Sequence, residues 1–256
     1  MHEPGRLLRM ATPPDTDVRA LLHTTADLAA DFLESLPDRP VGPAVTVDGL
    51  RTAFGAGSNA PAHGTPADAV VRDLVTAADP GVMGNPGPRF FGFVVGGAVP
   101  AAVAADWLAT TWDQNAGLYP LAPSASIVEE VAGAWALELL GLPADCSVGF
   151  VTGAQMANVV GLAAARHHVL QQQGWDVEAD GLIGAPPIQV LVGERRHATI
   201  DTALRMLGLG AARSTVVAVD DQGRMRADAL AAALASAAGP TIVCAQAGEV
   251  NSGAFD

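Results

Sequence analysis

The chain reads as an α/β protein built on a mostly parallel sheet and preceded by a helical segment. Three observations predict this. Ile188-Gln-Val-Leu-Val192 and Thr241-Ile-Val-Cys-Ala245 are almost continuously apolar, as strands covered on both faces must be. Beyond residue 113, stretches of this kind alternate with helical patterns, the order in which parallel strands and crossover helices follow one another. Half of the 256 residues are hydrophobic, enough to fill a sizeable core and too many for extensive disorder.

Each element has a local cause. Residues 1–16, with Pro13, Pro14 and several charges, are expected to form a loose tail. Val18, Leu21, Leu22, Leu28 and Phe32 give an amphipathic helix from Asp17 to Leu36, stopped by Pro37. Residues 38–65, rich in Pro, Gly and Ala, are expected to be mostly loop. Thr65-Pro66 offers an N-cap followed by proline at the first helical position, predicting a helix to about Ala78. Residues 79–87 read as a loop. Ser126-Ile-Val-Glu129 has the capping-box pattern, and Ile127, Val131, Trp135 and Leu139 recur every four residues before Gly141 and Pro143 end the helix. The remainder reads as strand 148–152, helix 154–173, strand 188–192, helix 198–208, strand 215–219, helix 227–238 and strand 241–245. The expected organisation is therefore a helical and loop segment, 1–112, followed by an α/β region, 113–256. Ligands of such sheets bind at the carboxyl ends of the strands, where Thr152, Arg195 to His197 and Gly248 to Asn251 are expected to converge.

Composition narrows the function. The formal net charge is −13, with no basic patch, which argues against a nucleic-acid partner. The longest apolar run, Phe90 to Ala105, is broken by Gly96, Gly97 and Pro100 and is too short to cross a bilayer. The N-terminal stretch lacks the apolar core of a secretory signal. Cys146 and Cys244, each among apolar neighbours, read as reduced, buried thiols of a soluble cytoplasmic protein. The six histidines show no H-E-x-x-H, and no C-x-x-C occurs, so no metal site is expected.

Three familiar phosphate or nucleophile motifs are missing. All 14 basic residues are arginine, so there is no P-loop lysine. Gly208-Leu-Gly210 follows a helical pattern and lacks the third glycine of a dinucleotide fingerprint. No G-x-S-x-G elbow appears. What remains is Gly149-Phe-Val-Thr-Gly-Ala-Gln-Met-Ala-Asn158, a strand, a turn through Gly153 and a helix start. By its residues alone it is either an ordinary corner or an anion site, where free N–H groups meet the positive end of the helix dipole. His197 is likewise either a surface histidine beside Arg195 and Arg196 or a ring placed against a ligand. Phe90 and Phe91 are either core or pocket wall.

Several segments in series resemble the pyridoxal-phosphate-dependent amino-acid decarboxylases, the group II family that includes the aromatic-amino-acid and glutamate enzymes. Pro88-Arg-Phe-Phe-Gly-Phe93 resembles its Pro-x-Phe-Phe segment, and Ala122-Pro-Ser-Ala-Ser-Ile-Val-Glu129 its Ser-Pro-Ala-x-Thr-x-x-Glu helix start. Thr152-Gly-Ala-Gln-Met-Ala-Asn158 is similar to the Ser-Gly-Gly-Ser-Glu-Ala-Asn phosphate turn, and His197 falls where the family stacks a histidine on the cofactor ring. Val219-Asp-Asp-Gln-Gly-Arg-Met225 is similar to the Asp-x-x-Gly-Arg-Met stretch. Ala247-Gly-Glu-Val-Asn-Ser-Gly-Ala-Phe-Asp256 is similar to Gly-Thr-Thr-x-x-Gly-Ala-Phe-Asp.

The resemblance implies part of a fold type I large domain and the cofactor pyridoxal 5'-phosphate. It implies a phosphate held at Gly153, Ala154 and Gln155, and a ring under His197, which also handles protons. Phe90 and Phe91 would lie against an amino-acid substrate, and the full-length parent would be a homodimer. Glu249-Val250 stands where the family has Thr-Thr, which places a carboxylate beside the cofactor in place of a hydroxyl. The family's pyridine-binding Asp and Schiff-base Lys lie beyond its Gly-Ala-Phe-Asp run, and this chain has no lysine. The chain is therefore expected to be an incomplete, inactive front half of a carboxy-lyase. Another fold type I enzyme, such as an aminotransferase or carbon–carbon lyase, and a non-catalytic regulatory partner are the alternatives.

Overall fold

The structure, a computed structural model, describes residues 16–61 and 63–256; the expected tail, apart from its last residue, lies outside them. The chain divides into two units, one ending at Asp113 and one beginning at Gln114.

The first unit is helical. Helix α1 (Val18–Ser35) starts where the Asp17 carboxylate accepts from the Ala20 amide at 3.0 Å. Helix α2 (Val47–Ala53) lies inside the stretch expected to be loop. Thr46 Oγ1 accepts from Gly49 N at 3.1 Å, and Asp48 pairs with Arg51 at 2.7 Å. Its Leu50 packs onto Gly81 so closely that a Cβ there would lie 2.7 Å from the Leu50 methyls. A cap and one tertiary contact thus override a loop-like composition. Helix α3 (Ala67–Ala78) begins one residue later than expected: Pro66 is the N-cap and no side chain caps it. A 3₁₀ turn, Asp79–Gly81, follows. Arg39 ties that turn to the end of α1, donating to Asp79 O and Asp79 Oδ1 at 2.7 Å while its guanidinium lies 4.9 Å from the Phe32 ring centroid. Helix α4 (Pro100–Trp112) was not expected, because its alanines and valine surround the axis without a polar face to set a period. None of α1 to α4 has a buried residue.

The second unit holds the core. It contains α5 (Pro123–Leu140), α6 (Ala154–Gln171), α7 (Val177–Asp180), β1 (Gln189–Gly193) and α8 (Ala198–Met206). A 3₁₀ turn (Ala211–Arg213), β2 (Thr215–Val217), α9 (Ala227–Ser236) and β3 (Thr241–Cys244) complete it. The sheet order is β2-β1-β3, wholly parallel, with Val192 opposite Val216 and Cys244. Side chains alternate across the sheet. Val190 and Val192 pack with Leu162 of α6, Ala203 and Leu204 of α8, and Ile242. Leu191 packs on the other face with Val217 and Met225, against Ala229, Leu230 and Ala233.

Four expectations are corrected. Residues 148–152 form no strand: no ladder among the described residues reaches them, and Val148, Phe150 and Val151 are exposed. The capping box at Ser126 does not form. Helix α5 starts four residues earlier, with Ala122 as N-cap and Pro123 at its first position, and Ser126 N already donates to Ala122 O within the first turn. The short α7 was not foreseen, although Asp176 caps it by accepting from Glu178 N and Ala179 N. Cys146 is exposed, and only Cys244 is partly buried, which pushes its thiol pKa up. No described helix is long and apolar enough to cross a membrane.

Leu204 has no exposed surface, whereas Leu139 is 85% exposed. Leu204→Ala should therefore lower the unfolding free energy of the chain by about 2–5 kcal/mol. Leu139→Ala should change it by less than about 0.5 kcal/mol. Urea denaturation of both variants measures the difference.

Candidate functional site

Helix α6 begins after a bend at Thr152-Gly153, with Gly153 extended (φ 159°, ψ 173°). The Gly153 carbonyl accepts from Met156 N and Ala157 N, each at 3.0 Å. The amides of Ala154 and Gln155 have no acceptor among the described residues, and no protein atom lies within 4 Å of where a Gly153 Cβ would stand. Two free N–H groups therefore face open space at the positive end of a helix of 18 residues. Helices α8 and α9 carry Asp201 and Asp228 in their first turns, but α6 has no acid there.

His197 is the N-cap of α8, and its ring does the capping: Nδ1 accepts from Thr199 N at 3.2 Å and lies 2.8 Å from Thr199 Oγ1. The same threonine joins the two helices. Gln155 Nε2 donates to Thr199 O at 3.2 Å, and Asn158 Nδ2 donates to Thr199 Oγ1 at 2.9 Å. Farther along, Arg166 Nη1 donates to Leu207 O at 3.2 Å. The start of α6 and the exposed His197 ring are thus held side by side. One N–H of the Gln155 side chain is thereby committed to this joint. Thr199 itself was not foreseen. Its signal was local: a hydroxyl two residues after the histidine, at the second position of a helix.

The loops after β1, β2 and β3 meet around Gly223. With φ at +85° it sits in the left-handed region, and a Cβ there would lie 3.1 Å from Arg195 Cδ and 3.2 Å from Glu249 Cγ. Glu249 is 5% exposed. Its Oε2 accepts from Asn251 N and Ser252 N, and its Oε1 from Asn251 Nδ2, each at 2.8 Å. These bonds, that from the Ser252 amide foremost, outweigh the effect of burial and hold the carboxyl pKa below the usual glutamate value. The carboxylate therefore shapes its own loop. Asp256 stitches that loop to its neighbour: Oδ2 accepts from Gln246 N at 2.8 Å and Oδ1 from Met225 N. Phe90 and Phe91 belong to the first unit, where Phe90 is half-buried and Phe91 is 92% exposed.

Comparison with known proteins sets this geometry in context. The sequence model described as the pyridoxal-dependent decarboxylase conserved domain matches residues 53–256. The chain belongs to the pyridoxal-dependent decarboxylase family. Tryptophan decarboxylase 1 of Oryza sativa subsp. japonica is 30% identical over 257 residues, covering 94% of this chain and 49% of that protein. Cysteine sulfinic acid decarboxylase of Mus musculus is 30% identical over 173 residues, covering 66% and 34%. The crystal structure of Oryza sativa TDC with PLP and tryptamine superposes with a TM-score of 0.82 at 25% identity, over 95% of this chain and 52% of that one. Mouse CSAD shares the fold at a TM-score of 0.81 and 23% identity, over 93% and 50%. The fold is the fold type I decarboxylase fold, and the chain spans about half the length of the curated relatives it matches.

The Glu249 loop gives a pH prediction. A carboxyl whose folded pKa is lowered stabilises the fold fully above its ordinary value of 4.5 and loses that contribution as pH falls through the folded value. Hydrogen exchange at the Asn251 and Ser252 amides should therefore lose protection on acidification below that point. Glu249→Gln, with one acceptor oxygen in place of two, should exchange several-fold faster at both amides at neutral pH.

Proposed function

We propose that this chain is the phosphate- and ring-holding part of a pyridoxal phosphate-dependent L-amino-acid decarboxylase. The observation that supports the reading is the joint at Thr199, which ties α6, the helix that opens with two free amides, to the residue pair His197 and Thr199 at the start of α8. The residues fit the group. Ala154 N and Gln155 N supply donors for a phosphate, the open space at Gly153 admits it, and His197 offers a flat face for a pyridine ring. When bound, the cofactor supplies the sink for the electrons left when carbon dioxide departs. The chain's own residues bind and orient. The α6 amides fix one end of the ligand, the imidazole covers its ring and holds a proton at Nε2, and Glu249 acts through the loop it caps. Phe90 and Phe91 would wall the substrate's side chain. No side-chain amine is available for covalent attachment, since the chain has no lysine, so in this reading it binds the cofactor noncovalently and is inactive alone.

The same reading makes the assembled enzyme a cytoplasmic homodimer. Apolar side chains stand exposed along one helix: Val128, Trp135, Leu139 and Leu140 of α5 are all more than 60% exposed. Sedimentation equilibrium should show concentration-dependent self-association, and a monomer at every concentration overturns this part.

Equilibrium dialysis of the chain against pyridoxal 5'-phosphate and against unphosphorylated pyridoxal tests the binding site. The phosphorylated form should bind more tightly, and borohydride should leave no side-chain adduct. Ala154→Pro deletes one amide at a helical position that tolerates proline. It should weaken binding about tenfold to a hundredfold, the worth of a hydrogen bond to a charged group, with little change in stability. Equal binding of the two ligands, or no effect of the proline, overturns the site.

A further inference from the structure

We propose that Thr199 and Asn158 are positioning residues that fix which ring nitrogen of His197 carries its proton. The argument follows from hydrogen-bond polarity. The Thr199 backbone amide can only donate, and it lies 3.2 Å from His197 Nδ1. Nδ1 must therefore present a lone pair, and the proton of the neutral ring stands on Nε2. The Thr199 hydroxyl is 2.8 Å from that same nitrogen. With the Nδ1 lone pair facing it, the hydroxyl must donate, so its own oxygen is free to accept. Asn158 Nδ2, a pure donor, fills that position at 2.9 Å. The result is a one-way chain, from the Asn158 amide to the Thr199 hydroxyl to His197 Nδ1. It leaves Nε2–H as the group that the exposed edge of the imidazole offers to a ligand.

The span of this chain makes it more than an ordinary helix cap. Asn158 belongs to α6, 41 residues before Thr199, and Gln155 of the same helix holds the Thr199 carbonyl. The proton position on His197 is thereby tied to the helix start that carries the two free amides. That position exists without any ligand, and only its use in catalysis rests on the decarboxylase reading.

Nitrogen-15 spectra of the histidine rings, recorded at about pH 8.5, above the ordinary histidine range, read the tautomer directly. His197 in the unmodified chain should show a protonated Nε2 and an unprotonated Nδ1. Asn158→Asp reverses the polarity at the far end: its carboxylate accepts a hydrogen bond from the Thr199 hydroxyl, which turns the oxygen lone pair toward Nδ1 and should raise the Nδ1–H population several-fold. Asp is nearly isosteric with Asn and stands near the positive end of α6, so the fold should survive. Thr199→Ser keeps the hydroxyl and should retain the original tautomer, while Thr199→Val should lose the response to Asn158→Asp. A protonated Nδ1 in the unmodified chain, or no tautomer change in Asn158→Asp, overturns the proposal. Pyridoxal phosphate affinity measured on the same samples separates the two readings. An intact tautomer with no cofactor binding counts against the decarboxylase site alone.

Discussion

Strand β1 is the constraint on which the arrangement of the strand-end loops depends. It is hydrogen-bonded on both sides by parallel neighbours, and its residues Val190 to Gly193 are buried. Parallel pairing brings the carboxyl ends of all three strands to one edge, so the three loops that follow them must share space there. Helices cover both faces, and the loops alone are left to meet a ligand. Their polar backbone is satisfied by carboxylates. Glu249 collects three donors, while Asp256 bridges Gln246 N and Met225 N, holding the end of one loop against the hairpin closed by Val219 and Met225. Rigid loops at a strand-end edge are what a binding site requires.

The sheet and its crossover helices were legible because each announces itself locally. A buried parallel strand needs an apolar run, and Ile188 to Val192 supplies one. The start of α6 and His197 were legible for a different reason: the residues after Thr152 and the single histidine after β1 fall in a spaced series of family segments. Elements whose cause is tertiary were not legible. Helix α2 depends on Leu50 meeting Gly81, and nothing near Leu50 says so. Helix α4 is mostly alanine and other apolar residues, with Asp106, Thr110 and Thr111 too few to mark a period. The apolar stretch 148–152 has strand composition, but a strand is defined by its partner, and no ladder reaches it. Thr199 escaped because the donors it receives from α6 come from 41 and 44 residues away, too far to leave a sequence pattern.

The proposed phosphate site needs an explanation, since a net charge of −13 repels anions overall. Distance resolves it. Fields of exposed charges fade within a Debye length, about 8–10 Å in physiological salt. No charged residue occurs between Cys146 and Arg166, so the sequence around the start of α6 contributes neither attraction nor repulsion. What acts there is short-range: two amides with no other acceptor and the aligned dipoles of an 18-residue helix with no acid in its first turn. Phosphate recognition through neutral donors, as proposed, would also relieve the chain of any need for a lysine or arginine at this corner. Six of the seven ion pairs involving arginine or histidine among the described residues lie elsewhere, at loop ends and helix surfaces, and in the seventh, at the start of α8, Arg196 is already neutralised by Asp201. In the proposed site, backbone geometry replaces the cation that a phosphate site usually borrows from a side chain, and that geometry is held in place by the bonds Gln155 and Asn158 make to Thr199.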